Sequence, residues 1–283
     1  MSVPLRVGHS PDADDAFMFY GIAKGVVDTA PYVIEHVIED IQALNERAMR
    51  GDLEVTAISA AVYPQVAGRY RILACGASIG RGYGPIVLAR PGEGGSIAGR
   101  RIAIPGEHTT AYLLLRIFER DFVPVIMGFD EVLPALDARR VDAALVIHEG
   151  QVTYKAGGYE SLVDLGVVWE RETGLPIPLG LDVVRRDLGE DAALAIYRAL
   201  RDSILHTNED EEGAIDYALR FGRGIDRETC RTFVRMYVNR DTVQMGDEGR
   251  RALDELYGRA LRRGLISEMP PLDIVGLEAA PKG

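Results

Sequence analysis

The sequence predicts a two-lobed α/β protein that closes like a clamshell over a cleft. Three observations lead there. Short apolar runs alternate with segments of helical period, a turn-rich break interrupts them after Ala89, and a strand-like run through Asp182 leads into a mainly helical C-terminal stretch. Such alternation points to an α/β sheet with parallel strands rather than to a sandwich or a bundle.

The elements follow in order. LRVGHS reads as the first strand and DADDAFMFYGIAKG as a helix, with Phe17, Tyr20 and Ile22 at roughly helical spacing and acids in the first turn, where the helix dipole favours negative charge. YVIEHVIED alternates as a strand, and IQALNERAMRG is a helix closed by Gly51. VTAIS, RILACG and GPIVLAR read as further strands, before Pro91, Gly92, Gly94 and Gly95 break the pattern. A second unit then runs RRIAIPG (strand), TTAYLLLRIFERD (helix), VPVIMGF (strand), DEVLPALDARR (helix) and AALVIHE (strand). Trp169 and VVWERETG read as a core strand and a capped helix, and LPIPLGLDVVRRD as a return strand. Helical periods follow, and the tail after Pro270 reads as a loosely docked strand or coil. Chain crossings near Ala89 and Asp182 give a larger discontinuous lobe, residues 1–89 and 183–283, and a smaller one, residues 90–182.

Composition excludes several classes. The 283 residues, 47% of them hydrophobic, suffice for two modest cores. A net charge of −11 with no basic block gives nucleic acid and anionic membranes nothing to attract. Cys75 and Cys230 stand far apart, which fits neither a disulfide framework nor a thiolate metal site. MSVPLRVGHSPDADD has Pro4 and charge where a signal peptide needs an apolar stretch, and no apolar run reaches membrane-spanning length, so a cytoplasmic location is expected.

In open α/β sheets ligands bind beyond the carboxyl ends of strands, where loops and helix starts converge. Four stretches qualify: HSPDADD, the Ser59 end of VTAIS, PGEHTT and IHEG. Pro105 and Gly106 turn the chain so that Thr109 and Thr110 lie at a helix start, a fit for a carboxylate or phosphate; an ordinary threonine cap reads equally well. A histidine titrates near neutrality, so His148 at a strand end facing a cleft is a candidate general base, with a half-buried structural histidine as the bland alternative. Glu149 would alternate to the other strand face. Asp12, Asp14 and Asp15 are candidates for sugar hydroxyls or, less favoured, Mg²⁺, against simple capping and dipole compensation. Gly80, Gly82 and Gly84 in GRGYG match neither a dinucleotide fingerprint nor a phosphate loop, and read as a cleft wall or hinge. His9, His36, His108 and His206 lack zinc-site spacing.

Taken together, SPDADDAFMFY, IEDIQALNERAMRG, GRGYGPIVLAR, PGEHTTAYLLL, LVIHEGQVTY and DLGVVWERETGLPIPLG resemble the 1,4-dihydroxy-6-naphthoate synthases of the futalosine route to menaquinone, in a family that also includes a chorismate dehydratase. The resemblance covers most of the chain. It implies a periplasmic-binding-protein-like (type II) fold turned to catalysis, and a lyase that needs no cofactor or metal and releases 1,4-dihydroxy-6-naphthoate from cyclic dehypoxanthinylfutalosine. It implies His148 as the base, with Thr109, Thr110, Ser59, Asp15 and Tyr154 binding substrate. The implied partner is a small aromatic carboxylate substrate, with a homodimer as the assembly allowed for. One departure stands out: Ser10-Pro11-Asp12-Ala13-Asp14-Asp15-Ala16-Phe17 occupies the place of an expected Ser-Pro-Cys-Pro-Asn-Asp-Thr-Phe, which adds two acids near the polar end of the substrate. The rival readings are the dehydratase branch, a carboxylate-binding protein without chemistry, and a hinge-bending enzyme of another reaction.

Overall fold

The computed structural model describes residues 2–148, 150–221 and 225–277. Five strands come first: β1 (Val3–His9), β2 (Tyr32–Ile38), β3 (Val55–Ser59), β4 (Tyr70–Leu73) and β5 (Ser78–Gly80). The next five are β6 (Ile86–Ala89), β7 (Arg101–Ile104), β8 (Val123–Ile126), β9 (Ala143–Val146) and β10 (Glu160–Asp164). The chain then returns through β11 (Ile177–Arg185) and closes with β12 (Ile274–Val275).

Among the described residues these strands make two sheets. One is ordered β12-β4-β11-β3-β1-β2 with β5 beside β11, the other β10-β6-β9-β7-β8. The chain therefore changes sheets between β5 and β6, and again between β10 and β11. Both sheets are mixed, which corrects the parallel expectation. β11 runs antiparallel to β3, β4 and β5, and β6 antiparallel to β9 and β10. A strand arriving from the other sheet enters from the opposite end, so βαβ geometry does not constrain its direction.

Local chemistry explains most boundaries. All five residues of β3, Thr56 and Ser59 included, are buried, as its place between β11 and β1 in the first sheet requires. The Asp40 side chain accepts from the Gln42 and Ala43 N–H groups to start the helix Ile41–Arg50, and Gly51 ends it at φ 79°. On the long helix Glu190–Thr207, Ala193, Tyr197, Leu200 and Ile204 recur at helical spacing and pack on Leu5, Val7 and Val55 of the first sheet.

Three expectations change. The first helix is two short ones, Ala13–Met18 and Tyr20–Ala23, because Phe19 between them leaves helical geometry at φ −85°, ψ 0°. Trp169 lies on the helix Leu165–Thr173 rather than on a strand, fully buried, with its Nε1 donating to the Pro176 carbonyl at 2.9 Å. The backbone at Gly84 lies so close to Gly166 of that helix that a Cβ on Gly84 would meet the Gly166 Cα at 2.9 Å, which explains the absence of a side chain at both positions. The tail is firmly docked: β12 pairs with β4, Tyr63 donates to the Pro271 carbonyl, and Arg71 and Arg186 both bind Asp273.

Candidate active site

The principal cleft encloses about 730 Å³ of space, part of it open to solvent, and residues from both sheets line it. From the first sheet come the turn after β1, Ser59 at the end of β3, and Gly180 of β11; from the second come Thr109 and Thr110 after β7, and His148 after β9. Four strand ends that the sequence singled out therefore meet at one place. The GRGYG glycines do not line it, and only the following Pro85 reaches it.

The turn after β1 holds the densest polar network. Asp12 caps no amide of the short helix behind it. Its Oδ2 instead accepts from the Ser10 Oγ at 2.7 Å and lies 3.0 Å from the His148 Nδ1. Asp15 accepts from the Ser10 backbone N–H at 2.6 Å. Burial, and to a lesser degree the charge of Asp12, push the Asp15 carboxyl up to about 6, against the opposing effect of the Ser10 hydrogen bonds. Behind it Asp182, on β11 opposite Ala57, is fully buried and held well above the usual carboxylate range by that burial, with the charge of Asp15 adding to it. Its Oδ2 has no hydrogen-bond partner among the described residues. Asp182 packs over Gly76, where a Cβ would lie 1.9 Å from that oxygen, so only glycine leaves room for the carboxyl group. Among the described residues no three His, Cys, Asp or Glu side chains are placed to hold a metal ion.

His148 is not a strand residue. β9 stops at Val146, and His148 adopts the left-handed conformation at φ 56°. That backbone costs a non-glycine residue roughly 1–2 kcal/mol and is held by its surroundings. Asp12 binds one edge of the ring, and Phe129 meets it edge to face with centroids 5.5 Å apart. The side chain is 19% exposed. The alternation argument for Glu149 concerns a residue outside the described ones.

At the opposite wall Thr109 is the N-cap of the helix Thr110–Phe118: its Oγ1 accepts from the Tyr112 N–H and donates to the Gly106 carbonyl. Thr110 Oγ1 donates to the Leu179 carbonyl at 2.6 Å and accepts from the Ala61 N–H. Both hydroxyl protons are thus used within the protein. What this corner offers an anion is the helix start itself, whose first amides have no intrahelical acceptor. Ser59 is held by Asn45 at both Oγ and N, at 3.0 and 2.8 Å.

Tyr154 is not brought into the cleft. The short helix Gly150–Thr153 ends before it, and Tyr154 lies in an adjoining hollow beside Tyr83 and Lys155. Sequence reasoning missed Asn45, Gln151 and Tyr237, the last two joined by a 2.7 Å hydrogen bond on the cleft wall. Asn45 carried one signal, an amide on an otherwise buried helix face; Tyr237 and Gln151 carried none.

The profile of the menaquinone biosynthesis family matches residues 5–262. The chain belongs to that family. It is 42% identical over 266 residues to the 1,4-dihydroxy-6-naphthoate synthase of Thermus thermophilus, covering 94% of this chain and 97% of that one. The crystal structure of an Archaeoglobus fulgidus protein superposes with a TM-score of 0.90 at 48% identity, over 93% of this chain and 98% of that one. The ligand-binding component of an ABC-type import system from Staphylococcus aureus superposes with a TM-score of 0.71 at 15% identity, over 97% and 96% of the two chains. The fold is thus that of the periplasmic binding proteins, as expected. Among the described residues no helix is long and apolar enough to cross a membrane.

Proposed function

We propose that this family member is a 1,4-dihydroxy-6-naphthoate synthase, a lyase acting on cyclic dehypoxanthinylfutalosine in the cleft between two lobes, each built on one of the two sheets. The observation that carries this reading is the placement of His148 and the helix start at Thr110 on the walls of one cleft. The substrate's aromatic carboxylate binds at the Thr109–Thr110 helix start, where amides and the helix dipole favour an anion. The hydroxyl-bearing fragment lies toward Asp15, because an acceptor carboxylate suits hydroxyls and repels a carboxylate.

His148 removes a proton from the substrate. The C–H electron pair moves into the ring, and the bond to the sugar fragment breaks with its electron pair leaving on that fragment, which takes a proton back from the imidazolium. Aromatisation of the naphthalene drives the step without a redox or metal cofactor. Positioning and exclusion of water are the rest of the enzyme's work, with the proton transfer worth about 10² to 10⁴ in rate. A cytoplasmic setting fits a chain with two cysteines, both buried.

The test is incubation of the purified protein with cyclic dehypoxanthinylfutalosine, without added metal or nucleotide, and detection of 1,4-dihydroxy-6-naphthoate by absorbance and mass. Product from the wild type and none from His148→Asn is the expected result. A thermal shift without product would make the protein a binder, and the absence of both shift and product would overturn the reading.

A further inference from the structure

We infer that Asp12 is a positioning residue for His148, fixing the ring so that Nε2 is the nitrogen that takes the proton. The inference rests on the reading of His148 as the base, and it goes beyond that reading in assigning a role to an acid that sequence analysis gave to capping or to substrate.

The geometry is specific. Asp12 follows Pro11 at the end of β1, with the extended backbone of a helix N-cap at φ −79°, ψ 155°. A carboxylate there ordinarily accepts from the second or third helical N–H, yet this one makes no such bond. Its Oδ2 is turned to the cleft, where the Ser10 hydroxyl and the His148 Nδ1 converge on it at 2.7 and 3.0 Å. Ser10 holds the group from both sides, since its Oγ also accepts from the Asp12 N–H at 3.2 Å. Asp12 is 3% exposed, so water competes little for the same oxygen.

An ionised carboxylate only accepts, so the ring nitrogen facing it must be the protonated one. Nδ1 therefore carries the hydrogen and Nε2 keeps its lone pair, the tautomer that a general base needs. The imidazolium formed when Nε2 takes the proton is stabilised by the same carboxylate. Phe129 covers the ring without offering a hydrogen-bonding alternative to either nitrogen. The other ionisable groups on this wall are Asp14 and Asp15 from the same turn and Tyr237 from the helix Arg227–Tyr237; Asp15 is taken up by Ser10 and Tyr237 by Gln151. The left-handed backbone of His148 gains a reason: it swings the ring back from β9 toward the turn after β1, on the other sheet.

Two measurements on the intact protein test this. In a long-range ¹H–¹⁵N spectrum of histidine-labelled protein at alkaline pH, with His148 identified by its loss in His148→Asn, the wild type shows Nδ1 protonated and Nε2 bare, and Asp12→Asn shifts the pattern toward the other tautomer. In turnover, Asp12→Asn lowers kcat by about 10² or more while KM stays within about threefold, and Ser10→Ala lowers kcat by roughly tenfold. An unchanged tautomer in Asp12→Asn, or a kcat within threefold of wild type, overturns the inference. The spectrum needs no substrate, so it is independent of the base reading: a fully active His148→Asn enzyme would sink the base while leaving the tautomer result to stand or fall by itself.

Discussion

Two histidines lie beside the turn after β1, and their surroundings differ in partner and exposure. His9, the last residue of β1, is 1% exposed, stacks on Phe19 with ring centroids 4.6 Å apart, and bonds the Ser10 carbonyl and the His36 ring at 3.1 and 3.0 Å. Burial, with His36 beside it, lowers its pKa to about 4, so it is a neutral packing residue at physiological pH. His148 faces the cleft on a strained turn with a carboxylate at one nitrogen. Residue type is the same, and the difference lies in partner and exposure. A histidine buried among aromatic rings is locked uncharged, whereas one beside an acid at a cleft wall has the setting proposed above for the base.

The sharpest way to break this comparison is to exchange the roles. His148→Asn is expected to lower kcat by about 10² to 10⁴, with a melting temperature near wild type, because asparagine tolerates the left-handed backbone better than most residues. A variant that keeps full turnover would make His148 as structural as His9. His9→Gln should do the reverse, retaining the chemistry while changing stability. The folded pKa of His9 lies below its unfolded value, so its neutral form contributes stability above about 6.5 that is lost as pH falls toward about 4. This amounts to about 3 kcal/mol. Denaturant titrations of both proteins across that range should give a flatter curve for His9→Gln; parallel curves would mean His9 titrates normally.

The acids beside His148 make a contrasting prediction. Asp15 has its folded pKa raised to about 6, so its contribution is fully present below about 4 and is lost as pH rises through about 6. Asp15→Asn keeps an acceptor for the Ser10 N–H and removes the buried charge. It should be more stable than wild type by up to about 3 kcal/mol at neutral pH and equal to it in acid, while binding substrate less well. Equal stabilities at neutral pH would show that Asp15 is not held in an unfavourable ionised state. The smallest expected effect is at the far wall: Thr109→Ala loses a helix cap, costing about 1 kcal/mol, and raises KM more than it lowers kcat. A kcat effect exceeding the KM effect would give Thr109 a part in the chemistry.

Much of the fold was legible because its signals are local. β3, the Gly51 stop, the Thr109 cap and the helical period of Glu190–Thr207 each depend on residues a few positions apart, and the structure contains all of them. Direction in the sheets was not legible, since β6 and β11 owe their antiparallel pairing to the path between sheets rather than to their own sequence. The candidate site divides the same way. Ser59, Thr109, Thr110, Asp15 and His148 do meet in one cleft, since strand ends and helix starts converge there, whereas Tyr154 packs instead against the core beneath the second sheet and lines an adjoining hollow.

The sequence by itself determined which residues could cap, turn, bury or titrate, since those properties belong to a side chain and its near neighbours. Only the tertiary structure decided which of them act together. Asp12 turned from a cap into the partner of His148, Asn45 became the holder of Ser59, His9 found His36, and Asp182 settled against Gly76. Hydrogen bonds and burial act over a few ångströms of space, and distance along the chain carries no record of which distant residues will come within that reach.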